Sequence, residues 1–190
     1  MTDLSNKKAA RAHFLSKRLS LSPIERQIID AELVSQISAL DEFKQCDTVL
    51  LYASTKNEPN LSRLALLAWE LGKCVAFPIS LTDTCELDFR LIDSLTDLKS
   101  GAYGIYEPTS DLPVVTITEK TLCIVPALAI DSLGFRLGYG KGYYDRFLKK
   151  FKGISLSAID SRFTVDTLPT YQTDIPVDII ITETGVIHHK

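Results

Sequence analysis

A chain of 190 residues, 45% hydrophobic and 24% charged with 9 Gly and 8 Pro, can bury roughly 70% of its extended surface in one core, and its balance excludes a disordered or fibrous protein. It has no apolar run of about 18 residues and so no segment that reads as a membrane helix, and its formal net charge of −3 argues against a general nucleic-acid binder. The charge is uneven: residues 1–18 carry five Lys/Arg against one acid and residues 136–152 six against one, a pattern suited to holding a small anion locally.

The start lacks the apolar stretch and small-residue cleavage site of a signal peptide and reads as mature protein, a basic amphipathic helix over 4–19. A second helix opens at "SPIE", with Ser22 as N-cap, Pro23 at the first helical position and Glu25 closing a capping box. Ile24, Ile28, Leu33, Ile37 and Leu40 continue it at helical spacing. "TVLLYAS" (48–54) is a short buried strand, and "NLSRLALLAWELG" a helix stopped at Gly72. "CVAFPIS" is the next strand; "ELDFRLI" alternates apolar and polar residues, as a half-exposed strand does. Residues 98–110 read as loop. "TLCIVPALAID" (121–131) is the most hydrophobic strand and is expected at the centre. A helix near 142–151, strand "ISLSAID", a loop with Pro169 and Pro176 and strand "VDIIITET" complete the chain; His188 and His189 read as a solvated tail.

Strands alternating with helices, several as continuous apolar runs, predict an α/β fold in three layers: a mostly parallel, Rossmann-like open sheet with helices on both faces, in one domain over 1–190. Cys46, Cys74, Cys85 and Cys123 form no CxxC pair, so reduced thiols in the cytoplasm are expected rather than disulfides or a zinc site.

In such sheets ligands bind beyond the carboxyl ends of the strands. Two segments fall there, "YASTKNE" and "AIDSLGFRLGYGKGYYD". The second is neither a P-loop, since five residues separate Gly134 from Gly140 and Gly142 stands where Ser/Thr should be, nor a dinucleotide fingerprint, since Gly138, Gly140 and Gly142 alternate. Alternating glycines still let successive backbone N–H groups face an anion, with Arg136 and Lys141 adding full charges. They would equally suit a surface loop with Tyr143 and Tyr144 packed in the core.

"VPALAIDSLGFRLGYGKGYYDRFL" closely resembles the signature of 5-formyltetrahydrofolate cyclo-ligases, or 5,10-methenyltetrahydrofolate synthetases. "KKAAR", "GKCVAFP", "GIYEP" and the closing "VDIIITE" are similar in the same order along the chain. The resemblance implies ATP-dependent cyclisation of 5-formyltetrahydrofolate to 5,10-methenyltetrahydrofolate, with ADP and phosphate released and Mg²⁺ as cofactor. It implies that Arg136, Leu137, Gly138, Tyr139, Gly140, Lys141, Gly142, Tyr143 and Tyr144 line the ATP site, with Arg136 and Lys141 catalytic on the phosphates. Lys7 and Arg11, on one helical face, would close over the nucleotide. Ala53, Glu58, Tyr139 and Tyr143 would contact folate, Glu58 accepting from the pterin N–H groups. Asp145 and Asp178 would hold magnesium, with Asp174 a nearby competitor. The partners implied are small molecules only, without nucleic acid or membrane, on a monomer. Leu61, with Pro59 before it, stands where the family often has threonine. A folate-binding homologue with little turnover and an ATP-using enzyme on another substrate are the alternatives.

Overall fold

The structure, a computed structural model, describes residues 6–189; the first residues of the expected 4–19 helix lie outside them. The first helix, α1, runs Lys7–Leu19 with Asn6 as N-cap, and α2 runs Pro23–Ala39 with the Ser22–Glu25 capping box in place. A short α3 (Asp41–Gln45) follows, which sequence periodicity did not reveal. The strands β1 (Thr48–Leu50), β2 (Cys74–Leu81) and β3 (Glu86–Leu91) bracket α4 (Ser62–Glu70). Gly72, at φ 71°, turns the chain after α4, a conformation that costs glycine least.

The expected strand 121–131 is two strands. The first, β6 (Thr121–Ile124), stays in the main sheet, while β7 (Ala129–Asp131) pairs with β8 (Arg136–Leu137) and β10 (Thr164–Val165) in a separate three-stranded sheet. Pro126, in the connection, has no N–H to offer a ladder, and the chain leaves the sheet there. The "loop" 98–110 contains a small hairpin, β4 (Lys99–Ser100) with β5 (Tyr106–Glu107), tied down by buried Glu107, which accepts from the amides of Ser80 and Ala102. After α5 (Tyr143–Leu148), β9 (Ile154–Ala158) and β11 (Ile179–Thr182), a last strand β12 (Gly185–His188) returns antiparallel, so His188 and His189 are not a solvated tail. His189 lies against Gly134.

The seven-stranded sheet has the order β12-β11-β9-β6-β1-β2-β3, with β6 central. The pairs from β11 through β9, β6 and β1 to β2 are parallel, and only the edge strands β12 and β3 are antiparallel. Strand alternation sorts the core into two layers. Val49, Leu122, Ile124, Ile179 and Ile181 pack with Leu33, Ile37 and Leu64 of α2 and α4; Leu50, Cys123, Val125 and Ile180 pack with Ala10, Phe14 and Leu148 of α1 and α5. Helices therefore cover both faces, as the apolar runs predicted. No helix among the described residues is long and apolar enough to cross a membrane, and the four cysteines are free.

Candidate functional site

The glycine segment is set up by the turn that precedes it. Asp131 is buried and accepts from the amides of Leu133, Phe135 and Leu168, which fixes the turn between β7 and β8. Gly134, at φ 85°, closes that turn where a Cβ would stand 2.7 Å from the Val177 carbonyl oxygen. The chain then reaches Gly138, whose carbonyl accepts from Arg11 Nε of α1 at 2.8 Å. Gly140 (φ 97°) faces the Arg11 guanidinium, 3.1 Å from where a Cβ would be, and Gly142 (φ 71°) caps α5. Glycine is required at 134 and 140 both for backbone conformation and for close approach.

The helix after this segment is shorter than the expected 142–151. A macrodipole needs aligned peptides over several turns, so the anion-binding capacity here rests on loop amides and side-chain cations. Lys141 is exposed, and its ammonium has no carboxylate partner among the described residues. Arg136, by contrast, is 4% exposed in its side chain and bonds Asp145 Oδ1 at 2.9 Å and the Ile175 carbonyl. It is placed as a clasp between α5 and the segment 174–176. Tyr144 is half-buried, with its hydroxyl oxygen buried and unpartnered, and desolvation pushes its ionisation well up.

Lys7 also has a partner: its ammonium meets Asp174 Oδ2 at 2.5 Å and lies over the Tyr171 ring. Asp145 accepts from Arg136 and from the Ile175 amide through the same oxygen, Oδ1, which leaves Oδ2 for a cation. Magnesium commonly takes one or two protein carboxylates with phosphate oxygens and water, so Asp145 fits an ion held jointly with nucleotide phosphates. Among the described residues no three acidic, His or Cys side chains cluster into a protein-only cage. Asp178 bonds the Ser155 amide and hydroxyl at the start of β9; Asp174 is next to Ile175, which Asp145 binds.

The second wall follows β1. Ala53 packs against the α2/α4 core layer, and Lys56 and Asn57 both take left-handed φ values. This tight turn sends Glu58 back to accept from the Thr55 amide at 3.0 Å. Glu58 is buried; desolvation raises its pKa above the ordinary carboxylate value, opposed by the Thr55 bond and by the charge of Arg18. Tyr139 is brought from the glycine segment to the same place: Glu58 and Arg18 both act on its hydroxyl, and the Lys56 ammonium lies 4.7 Å from its ring centroid. Tyr143 meets Tyr103 of the β4–β5 hairpin, hydroxyl to hydroxyl at 3.2 Å. Leu61, the residue before α4, is buried in the core layer of α2 and α4. Arg18 is the member of the site that sequence reasoning missed; its signal was position, seven residues after Arg11 on the same face of α1.

The sequence model of the 5-formyltetrahydrofolate cyclo-ligase family matches residues 3–183. The chain belongs to the 5-formyltetrahydrofolate cyclo-ligase family. Among curated relatives, a probable 5-formyltetrahydrofolate cyclo-ligase of Schizosaccharomyces pombe is 32% identical over 143 residues, covering 72% of this chain and 70% of the relative. The NMR structure of Aquifex aeolicus 5,10-methenyltetrahydrofolate synthetase superposes with a TM-score of 0.85 at 34% identity, covering 97% of this chain and 93% of that one. A 5,10-methenyltetrahydrofolate synthetase from Mycoplasma pneumoniae, 23% identical, shares the fold at a TM-score of 0.76 over 94% of this chain and 99% of that one. The cyclo-ligase fold thus places the two walls, 53–58 and 138–144, under one helix that touches both.

Proposed function

We propose that this cyclo-ligase family member converts 5-formyltetrahydrofolate and ATP to 5,10-methenyltetrahydrofolate, ADP and phosphate. The observation that carries this reading is that Tyr139 of the glycine segment comes beside Glu58 and Lys56, with α1 bonded to both walls through Arg11 and Arg18. The formyl group on N5 is an amide whose oxygen leaves poorly. Its oxygen attacks the γ-phosphorus of ATP and ADP departs; N10 then attacks the formyl carbon, the C–O bond breaks, phosphate leaves and the N10 proton is lost. The protein's work is to align two anionic substrates and neutralise charge as it develops.

Lys141 is the cation assigned to the transferring phosphoryl group, with amides of 138–142 around the phosphates. Arg11 holds the loop through Gly138, and Lys7 would exchange Asp174 for nucleotide. Arg136 acts by holding Asp145. Bound Mg²⁺ would supply neutralising charge at the phosphates, with the carboxylates of Asp145 and Asp178 to hold it. Glu58 accepts from pterin N–H groups, with Tyr139 and Tyr143 against the folate and Ala53 at the edge. The reaction belongs in the cytoplasm, where the free thiols stay reduced, and is assigned to a single-domain monomer.

The test mixes the protein with 5-formyltetrahydrofolate, ATP and Mg²⁺ and follows the long-wavelength absorbance of the methenyl bridge. The band should grow only with all three present. Tight folate binding without the band would instead indicate a binding protein.

Two smaller effects arise from the walls. Gly140→Ala puts a Cβ against Arg11 at a φ that L-residues disfavour; such strain is worth about 1–3 kcal/mol. ATP affinity is expected to fall about 10-fold with folate affinity nearly unchanged, read by calorimetry with each ligand. Glu58 has a raised pKa, so as pH falls its carboxylate is lost at a higher pH than an ordinary glutamate's. Folate affinity should therefore decline on the acid side from above the usual carboxylate range. Glu58→Gln should weaken folate binding at neutral pH and remove this contribution to the pH dependence. Unchanged folate affinity in that variant would displace Glu58 from the pocket.

A further inference from the structure

Arg18 is 2% exposed, near the end of the helix that carries Lys7 and Arg11. Its Nη2 donates to the carbonyls of Ala127 (2.5 Å) and Leu128 (3.1 Å), and its guanidinium lies 5.2 Å from the Phe163 ring centroid. Nη1 is buried without a partner. No carboxylate among the described residues comes within ion-pair distance of Arg18. Asp30 and Asp160 line the same small cavity as Arg18 but stand beyond ion-pair distance; burying a cation with only carbonyls and a ring in direct contact is unfavourable, and packing alone could be met by an apolar side chain.

Glu58 presents the converse case: a buried carboxylate held by one backbone amide, with no cation in ion-pair contact among the described residues. The two groups are neighbours. Asn57 and Pro59, on either side of Glu58, line with Arg18 a cavity of about 20 Å³, room for about one water. The Asn57 amide also reaches the Arg18 carbonyl. Both charges act on the Tyr139 hydroxyl.

We infer that Arg18 is a positioning residue of the folate site, supplying from α1 the buried positive charge against which Glu58 and the Tyr139 hydroxyl are set to receive the pterin. This rests on the assignment of Glu58 to the pterin. Glu58 is faced by Arg18 from α1, by Lys56 and Tyr52 from its own segment, and by Tyr139 and Tyr144 from the glycine segment and α5. Of the two cations, Arg18 is buried and Lys56 exposed, so Arg18 is screened less.

The experiment measures affinities for 5-formyltetrahydrofolate and for ATP across the acid-to-neutral range in four proteins: wild type, Arg18→Met, Glu58→Gln and the double variant. Arg18→Met is expected to weaken folate binding by about 10-fold, leave ATP affinity within about twofold, and move the acid midpoint of folate binding to higher pH. That shift should vanish in the Glu58→Gln background, and Arg18→Lys should bring the midpoint back. A folded Arg18→Met protein with an unmoved midpoint, or with folate and ATP affinities falling together, overturns the inference. If Arg18→Met does not fold, the cycle of Arg18→Gln, which removes the charge but keeps a polar donor, with Glu58→Gln decides: non-additive folate affinities support the coupling and additive ones refute it. Glu58→Gln with unchanged folate affinity would remove the pterin assignment and this inference together. Weakened folate binding in that variant beside an unmoved Arg18→Met midpoint removes the inference alone.

Discussion

Lys141→Ala is expected to lower turnover by about 10²-fold or more, the size of effect seen when one preorganised donor to developing charge is removed. The reason lies in the partners of the three cations. Lys7 is clamped by Asp174 and Arg136 by Asp145; Lys141 is exposed on the loop between Gly140 and Gly142, with its ammonium free of any carboxylate among the described residues. It can meet a phosphoryl group without first breaking an ion pair. Removing an exposed side chain should leave the melting temperature nearly unchanged. The loss should fall on kcat more than on the folate KM, because the interaction is strongest as phosphoryl transfer proceeds. Turnover within a few-fold of wild type would take Lys141 out of phosphoryl transfer.

The contrast between Lys141 and Arg136 also marks where sequence reading reached its limit. Residue type and spacing put both cations in one glycine-rich segment, and that placement was legible. The continuous apolar runs of β1, β6 and β11 predicted the two-sided sheet for the same reason: with side chains at period 2, an unbroken run must find a hydrophobic layer on each face. Spacing could not say which cation faces inward. Arg136 is in β8, whose pairing with β7 exists only because the 121–131 run breaks at Pro126, and a continuous apolar run concealed that break. Asp131 and Gly134, prominent in the signature, build the turn between β7 and β8. Arg18 was hidden differently. A basic residue on an amphipathic helix ordinarily reads as solvated, and only the packing of α1 on Ala127, Leu128 and Phe163 makes it a buried charge.

Asp145→Asn should give the largest loss of stability among substitutions at the site. Asp145 Oδ1 accepts from both the Arg136 guanidinium and the Ile175 amide, and Arg136 reaches the Ile175 carbonyl in turn. These bonds join β8, the first turn of α5 and the segment that carries Asp174. Breaking a buried pair by removing one partner costs about 3–5 kcal/mol. The Asp145 side chain is 28% exposed against 4% for Arg136, so the lower end of that range is expected. In a chain of this size about 3 kcal/mol lowers the melting temperature by on the order of 10 °C. This loss should appear without any ligand or metal, which separates it from the second effect, a higher Mg²⁺ concentration for half-maximal rate. Asp178→Asn provides the comparison: both Ser155 bonds fall on its Oδ2, as both bonds of Asp145 fall on Oδ1, and it too should raise the Mg²⁺ requirement, without loosening Arg136. If only Asp178→Asn raises that requirement and Asp145→Asn merely destabilises, the cation belongs to Asp178, and Asp145 serves solely to anchor Arg136.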